Sequence, residues 1–149
     1  MSGMTELPSR PFLTLAAAQR LVEAGLGEAR TRGLNQLVIG VCDAAGRLVA
    51  FARQDDAEPA AIDMCIAKAR TAAIFTRDTK VWKHRLLDGD TWVLGMPNMN
   101  PIEGGRNIAV GGYTVGSIGV AGGSGILDSE IGAAAISAVF GGSGERDER

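Results

Sequence analysis

The feature that most constrains this chain is the pair Gly111-Gly112, set between two apolar runs, Arg106 to Val110 and Tyr113 to Ala121. A double-glycine connection accepts the positive φ angles of the tightest hairpin turns, so the flanking runs are expected to pair antiparallel. A second hairpin is expected upstream. Leu37 to Cys42 is rich in β-branched residues, Asp43-Ala44-Ala45-Gly46 supplies a turn, and Arg47 to Arg53 alternates polar and apolar side chains. Two tight hairpins impose antiparallel pairing and disfavour a parallel, doubly wound sheet. The glycine-rich stretches also lack the strand, GxGxxG, helix context of a dinucleotide site.

Helical periodicity fills the remainder. Thr14 is placed to cap a helix in which Leu15, Ala18, Val22, Leu26 and Ala29 recur on one face, with Gly33 as its stop. Pro59 suits the first turn of a second helix, whose stripe is Ile62, Cys65, Ile66, Ala69 and Ala73. A short helix is expected over Thr79 to Leu87, and a last one after Gly122-Gly123-Ser124-Gly125, with Ile131, Ala134, Ala135 and Ala138 on one face. The order helix, hairpin, helices, hairpin, helix predicts an α+β domain with helices packed on an antiparallel sheet. Residues 1–12 are expected to form a flexible lead, 13–140 the domain, and 141–149 a flexible tail of glycine and charge.

Composition narrows the partners. The 21 glycines and an aromatic share of only 5% mean that small side chains must fill much of the core and that backbones approach closely. A net charge of −2, with no basic stripe, argues against nucleic acid. No apolar run is long enough to span a bilayer, and the N-terminal residues carry no apolar segment of the export type, so a cytoplasmic location away from membranes is expected. Cys42 and Cys65 lie in apolar segments without CxxC spacing and read as reduced, buried small hydrophobes. With a single histidine, no multi-histidine metal site can be assembled, and no metal site is expected.

Three stretches together carry a family likeness: Lys68-Ala69-Arg70-Thr71-Ala72, Pro101-Ile102-Glu103-Gly104-Gly105, and Val115 to Gly123 (VGSIGVAGG) followed by Asp128-Ser129-Glu130. From about Leu13 to Val139 the chain resembles the GlcG/HbpS family, which also supplies the C-terminal domain of PduO-type proteins. The resemblance implies a profilin-like fold with a five-stranded antiparallel sheet, assembly into homo-oligomers, and in some members binding of haem or a related tetrapyrrole. The middle of this chain departs from the plain pattern by adding Trp82-Lys83-His84-Arg85 and Asp90-Thr91-Trp92.

The expected site lies between the second helix, the Gly95 to Gly105 loop and the Gly122 to Asp128 segment. Met64, Lys68 and Thr71 share one helix side, where Lys68 would meet a ligand carboxylate. Gly104-Gly105 and Gly122-Gly123 would offer backbone N–H groups to an anion, and Met96 and Asp128 complete the ligand-binding set. By residue type, haem iron could be ligated by His84, Met64, Met96, Met99, Cys42, Cys65 or Tyr113. The leading expectation is thus a small-molecule-binding protein taking haem or another anionic planar ligand. The alternative is a cofactor-free isomerase, lyase or cyclase acting on an organic acid or aromatic intermediate, with His84, Lys68 and Glu103 as catalytic groups. A third reading makes the domain an oligomeric scaffold with its tryptophans as subunit contacts.

Overall fold

The computed structural model describes residues 3–141. Its elements are α1 (Leu15–Thr31), β1 (Val38–Asp43), β2 (Leu48–Arg53), α2 (Ala60–Ile74), α3 (Thr79–Leu87), a 3-10 turn (Thr91–Gly95), β3 (Gly105–Val110), β4 (Tyr113–Ala121) and α4 (Gly125–Phe140). Local chemistry sets most boundaries. The Thr14 hydroxyl accepts from the Ala17 N–H at 3.1 Å, and α1 ends before Gly33 at φ +71°. Ser124 caps α4 in the same way, accepting from the Leu127 N–H at 3.2 Å. Gly111 and Gly112 adopt φ +59° and +81°, the two positive angles that the tight turn requires.

The strands form one antiparallel sheet of four, in the order β2-β1-β4-β3. The five strands implied by the family likeness are therefore corrected to four among the described residues. The two hairpins supply all four, and the remaining long connection is occupied otherwise: residues 96–100 are tied to α2 through Thr71 and Met64. The outer edge of β3 is also closed, because the Gly105 N–H donates to Thr79 Oγ1 at 3.0 Å and the Asn107 N–H to Asp78 Oδ1 at 2.8 Å. Side chains from the start of α3 satisfy the donors that a fifth strand would need.

Period-2 alternation sends the side chains to two layers. Ile39 and Val41 of β1 and Ile118 and Val120 of β4 face α1 and α4, meeting Leu21, Val22, Ile131 and Ile136 in the main core. The opposite face carries α2, which packs on Val38 and Ala121 at one end and on bare backbone in the middle. Gly40 pairs with Gly119 and Gly119 with Gly105, a row of glycines across β1, β4 and β3. A side chain at Gly119 would overlap the Cys65 carbonyl and one at Gly105 the Lys68 carbonyl, so α2 rests directly on the sheet backbone. The Ser117 hydroxyl donates to the Ala69 carbonyl in the same seam.

Candidate functional site

Because α2 sits so close, Lys68 is carried past the end of β4 into the start of α4. It is 3% exposed, and its ammonium donates to the Val120 carbonyl at 3.0 Å and to Asp128 Oδ2 at 3.1 Å. Asp128, in the first turn of α4, is fully buried, and its Oδ1 accepts from the Gly123 N–H at 2.9 Å. Gly104, at φ +131°, forms the adjoining wall: a Cβ there would stand 2.8 Å from Lys68 Nζ and 2.7 Å from the Val120 carbonyl oxygen. Burial raises the Asp128 carboxyl above the ordinary carboxylate range, and the neighbouring Lys68 only partly offsets this.

Around this pair the other expected residues are distributed unevenly. Thr71 is fully buried; its Oγ1 donates to the Asn98 carbonyl at 3.1 Å and accepts from the Asn100 N–H at 3.0 Å. Met64 is half-buried, with its sulfur 3.6 Å from Asn100 Nδ2. These two anchor the loop that carries Met96, itself half-buried. Glu103 is 9% exposed, and its Oε2 lies 3.4 Å from Lys83 Nζ on α3. Gly122 and Gly123 are exposed, although the Gly123 N–H is taken by Asp128 and the Gly105 N–H by Thr79. His84 lies on the exposed side of α3, whereas Lys68 and Glu103 flank Gly104 in the interior.

A second polar cluster was not anticipated from sequence. Arg106 lies 3.4 Å from Asp78 and donates to Ser129 at 3.3 Å, while Asn107 donates to the Ala72 carbonyl at 2.9 Å. All of these side chains are buried. Their only sequence signal was Asp78-Thr79 at the start of a short helix, which reads as a cap rather than as a closure for a sheet edge. The pairing of Lys68 with Asp128 was also missed, since 60 residues separate the two.

The loop carries exposed apolar side chains. Trp92, Leu94 and Ile102 are 52%, 64% and 43% exposed. The Arg85 guanidinium lies 5.8 Å from the Trp92 ring centre and 5.6 Å from that of Trp82, which is buried and meets Phe75 edge to face. Trp82 Nε1 is buried with no hydrogen-bond acceptor. Cys42 and Cys65 are buried free thiols, pushed by burial up to about 11 and about 12. No helix among the described residues is long and apolar enough to cross a membrane.

A four-stranded antiparallel sheet with helices on both faces, a buried lysine–aspartate pair and a loop with exposed apolar side chains together define a small α+β domain with a candidate ligand face. The chain belongs to the HbpS-like family: the family model described as haem degrading protein HbpS-like matches residues 13–137. It is 32% identical to the protein GlcG of Escherichia coli K12 over 114 residues, covering 76% of this chain and 84% of GlcG. The crystal structure of HbpS superposes with a TM-score of 0.82 at 29% identity, covering 95% of this chain and 100% of that one. A double mutant of HbpS from Streptomyces reticuli gives 0.83 at 28% identity, over 93% and 94%. The fold is shared as well with PduOC in its complex with heme, at a TM-score of 0.79 and 23% identity over 89% and 99%.

Proposed function

We propose that this protein binds haem or a closely similar planar, carboxylate-bearing ligand against the loop of residues 91–102 and the adjoining α3. The observation that carries the reading is the exposure of Trp92, Leu94 and Ile102 on a loop anchored to α2, in a chain of the haem degrading protein HbpS-like family. A flat apolar ligand gains most by covering such side chains. Arg85 beside Trp92, with Lys83 on the same helix, places positive charge where ligand carboxylates would lie.

The donor set suits haem with a neutral axial ligand. Both cysteines keep their protons at neutral pH and are buried, so neither supplies a thiolate. His84 is exposed on α3, and Met96 and Met99 are half-buried on the loop, which makes these three the candidate iron ligands carried by this loop and helix themselves. Trp82 Nε1, buried without an acceptor, is one further donor that a bound carboxylate would satisfy. Haem held there would supply a redox-active iron, with Trp92, Leu94 and Ile102 giving it apolar contact, Arg85 meeting its carboxylates and His84, Met96 or Met99 ligating the metal. Lys68 and Asp128 belong to the wall behind the loop, because their polar atoms are already engaged by each other and by backbone. The exposure of His84, set against the burial of Lys68 and Glu103, favours binding over acid–base catalysis by those three groups.

Titration with haemin should give a saturable Soret change at one equivalent. His84→Ala, Met96→Ala and Met99→Ala, compared in turn, should identify the axial ligand by the variant whose Soret maximum moves. A wild-type titration with no saturable change would remove the proposal. Three unshifted variants would remove the assigned face.

A further inference from the structure

The chain has five methionines, and all those beyond Met4 come to one loop. Met96-Pro97-Asn98-Met99 is a tight turn, closed by the Met99 N–H donating to the Met96 carbonyl at 3.3 Å. Proline in its second position and Asn98 at φ +61° in its third give it the type II pattern, which brings the Cα atoms of its first and fourth residues within about 7 Å. Met96 and Met99 are thus held at the two ends of one turn. Thr71 pins that turn to α2 by holding the Asn98 carbonyl and the Asn100 N–H. Met64, two helical turns before Thr71 on the same side of α2, reaches the next residue of the loop, with its sulfur 3.6 Å from Asn100 Nδ2. Met64, Met96 and Met99 are all half-buried.

Three thioethers make a ligand set of a particular kind. Each is neutral, polarisable and a weak acceptor, so hard ions such as magnesium or calcium gain nothing from it, whereas soft closed-shell monovalent ions such as Cu(I) and Ag(I) favour it. The single histidine rules out a site built on imidazoles and leaves one built on sulfur open. The two thiols are buried and keep their protons, so neither offers a competing thiolate. Packing accounts for a lone methionine, whose adaptable side chain fills irregular gaps. It gives no reason for a pinned turn to carry one at each end, beside a third, with all of them left half-exposed. We infer that Met64, Met96 and Met99 form a binding site for a soft monovalent cation of the Cu(I) class. Rotation about the bonds of the three unbranched side chains brings their sulfurs onto one ion while the backbone stays fastened. The site needs no haem, and a thioether bound to the cation is withdrawn from iron.

Methionine-methyl NMR on the full chain without haemin tests this, with Ag(I) as a redox-inert probe in chloride-free buffer. The methyl signals of Met64, Met96 and Met99 should shift together and saturate at one ion per chain, while those of Met1 and Met4 stay still. Met64→Leu, Met96→Leu and Met99→Leu nearly conserve volume and should melt close to the parent. Each should nevertheless weaken Ag(I) binding by roughly tenfold or more, at least the loss that follows removal of an outer-shell partner. Cu(I) kept reduced under anaerobic conditions should compete for the same signals, and Cys42→Ala/Cys65→Ala should retain the response. Signals that stay still, shifts shared equally by Met1 and Met4, or leucine variants that bind as the parent does would each overturn the assignment. So would binding that disappears in a cysteine variant still melting cooperatively. With no haemin present, failure here and failure of haem binding are read separately.

Discussion

At the scale of single residues, the buried pair Lys68–Asp128 decides the most. A buried ion pair adds little over a well-packed apolar pair, but removing one partner leaves an uncompensated charge at a cost of about 3–5 kcal/mol. Lys68→Met should show that loss near neutral pH. Its pH dependence follows from the direction of the Asp128 shift. A carboxyl raised by burial holds its proton in the native state at pH values where the unfolded chain has released it, so native stability falls as pH rises through that window. Without Lys68 the raise grows. The deficit of Lys68→Met should therefore shrink steadily on acidification, and Lys68→Met/Asp128→Leu should recover most of it at neutral pH. Urea melts across the acidic-to-neutral range would measure both; a deficit independent of pH would show that lost packing, not charge, is responsible. Both residues stand out in the sequence, Lys68 for its helix face and Asp128 for its place at a helix start. Their pairing does not, because it depends on how closely α2 approaches the sheet.

That approach belongs to the scale of elements. Caps and hairpin turns are local, so Thr14, Gly33, Gly46 and Gly111-Gly112 announce α1 and both hairpins from sequence alone, and the structure places those elements within a residue or two of the expected bounds. The glycine row Gly40–Gly119–Gly105 is not local. It exists only once three strands are in register; until then Gly40 and Gly119 read as members of apolar strands and Gly105 as a turn or anion cradle. The same blindness hid the closure of the β3 edge by Asp78 and Thr79, and with it the reason for four strands. Gly119→Ala forces a methyl into the α2 backbone and should cost about 1–3 kcal/mol or more, since neither the helix nor the strand can yield without disturbing the core. Gly27→Ala, inside α1 with only the tip of Arg30 nearby, should instead stabilise by roughly 0.5–1 kcal/mol through helix propensity. Chemical melts of the two variants test the contrast. Equal and opposite signs to these would mean that the row is spacious and α2 is held by side chains alone.

For the whole molecule, binding at the loop can be read from one measurement. A ligand that binds only the native state raises stability by about 2.7 kcal/mol at a free concentration one hundred times its dissociation constant. For a chain of 149 residues this corresponds to a melting shift of roughly 5–10 °C. If haemin lies on the loop of residues 91–102, Trp92→Ala should remove much of that shift while leaving the ligand-free melt nearly unchanged, because Trp92 is half exposed and outside the core. Amide protection should rise within residues 91–102 on binding. The loop is the natural place for such a gain. It is fastened by the Thr71 hydroxyl and Met64 of α2 and by the buried Val93, while Trp92, Leu94 and Ile102 stay exposed for a ligand to cover. A haemin-induced melting shift that survives in Trp92→Ala, with protection rising along α1 and β2 instead, would move the ligand to the groove between those two elements.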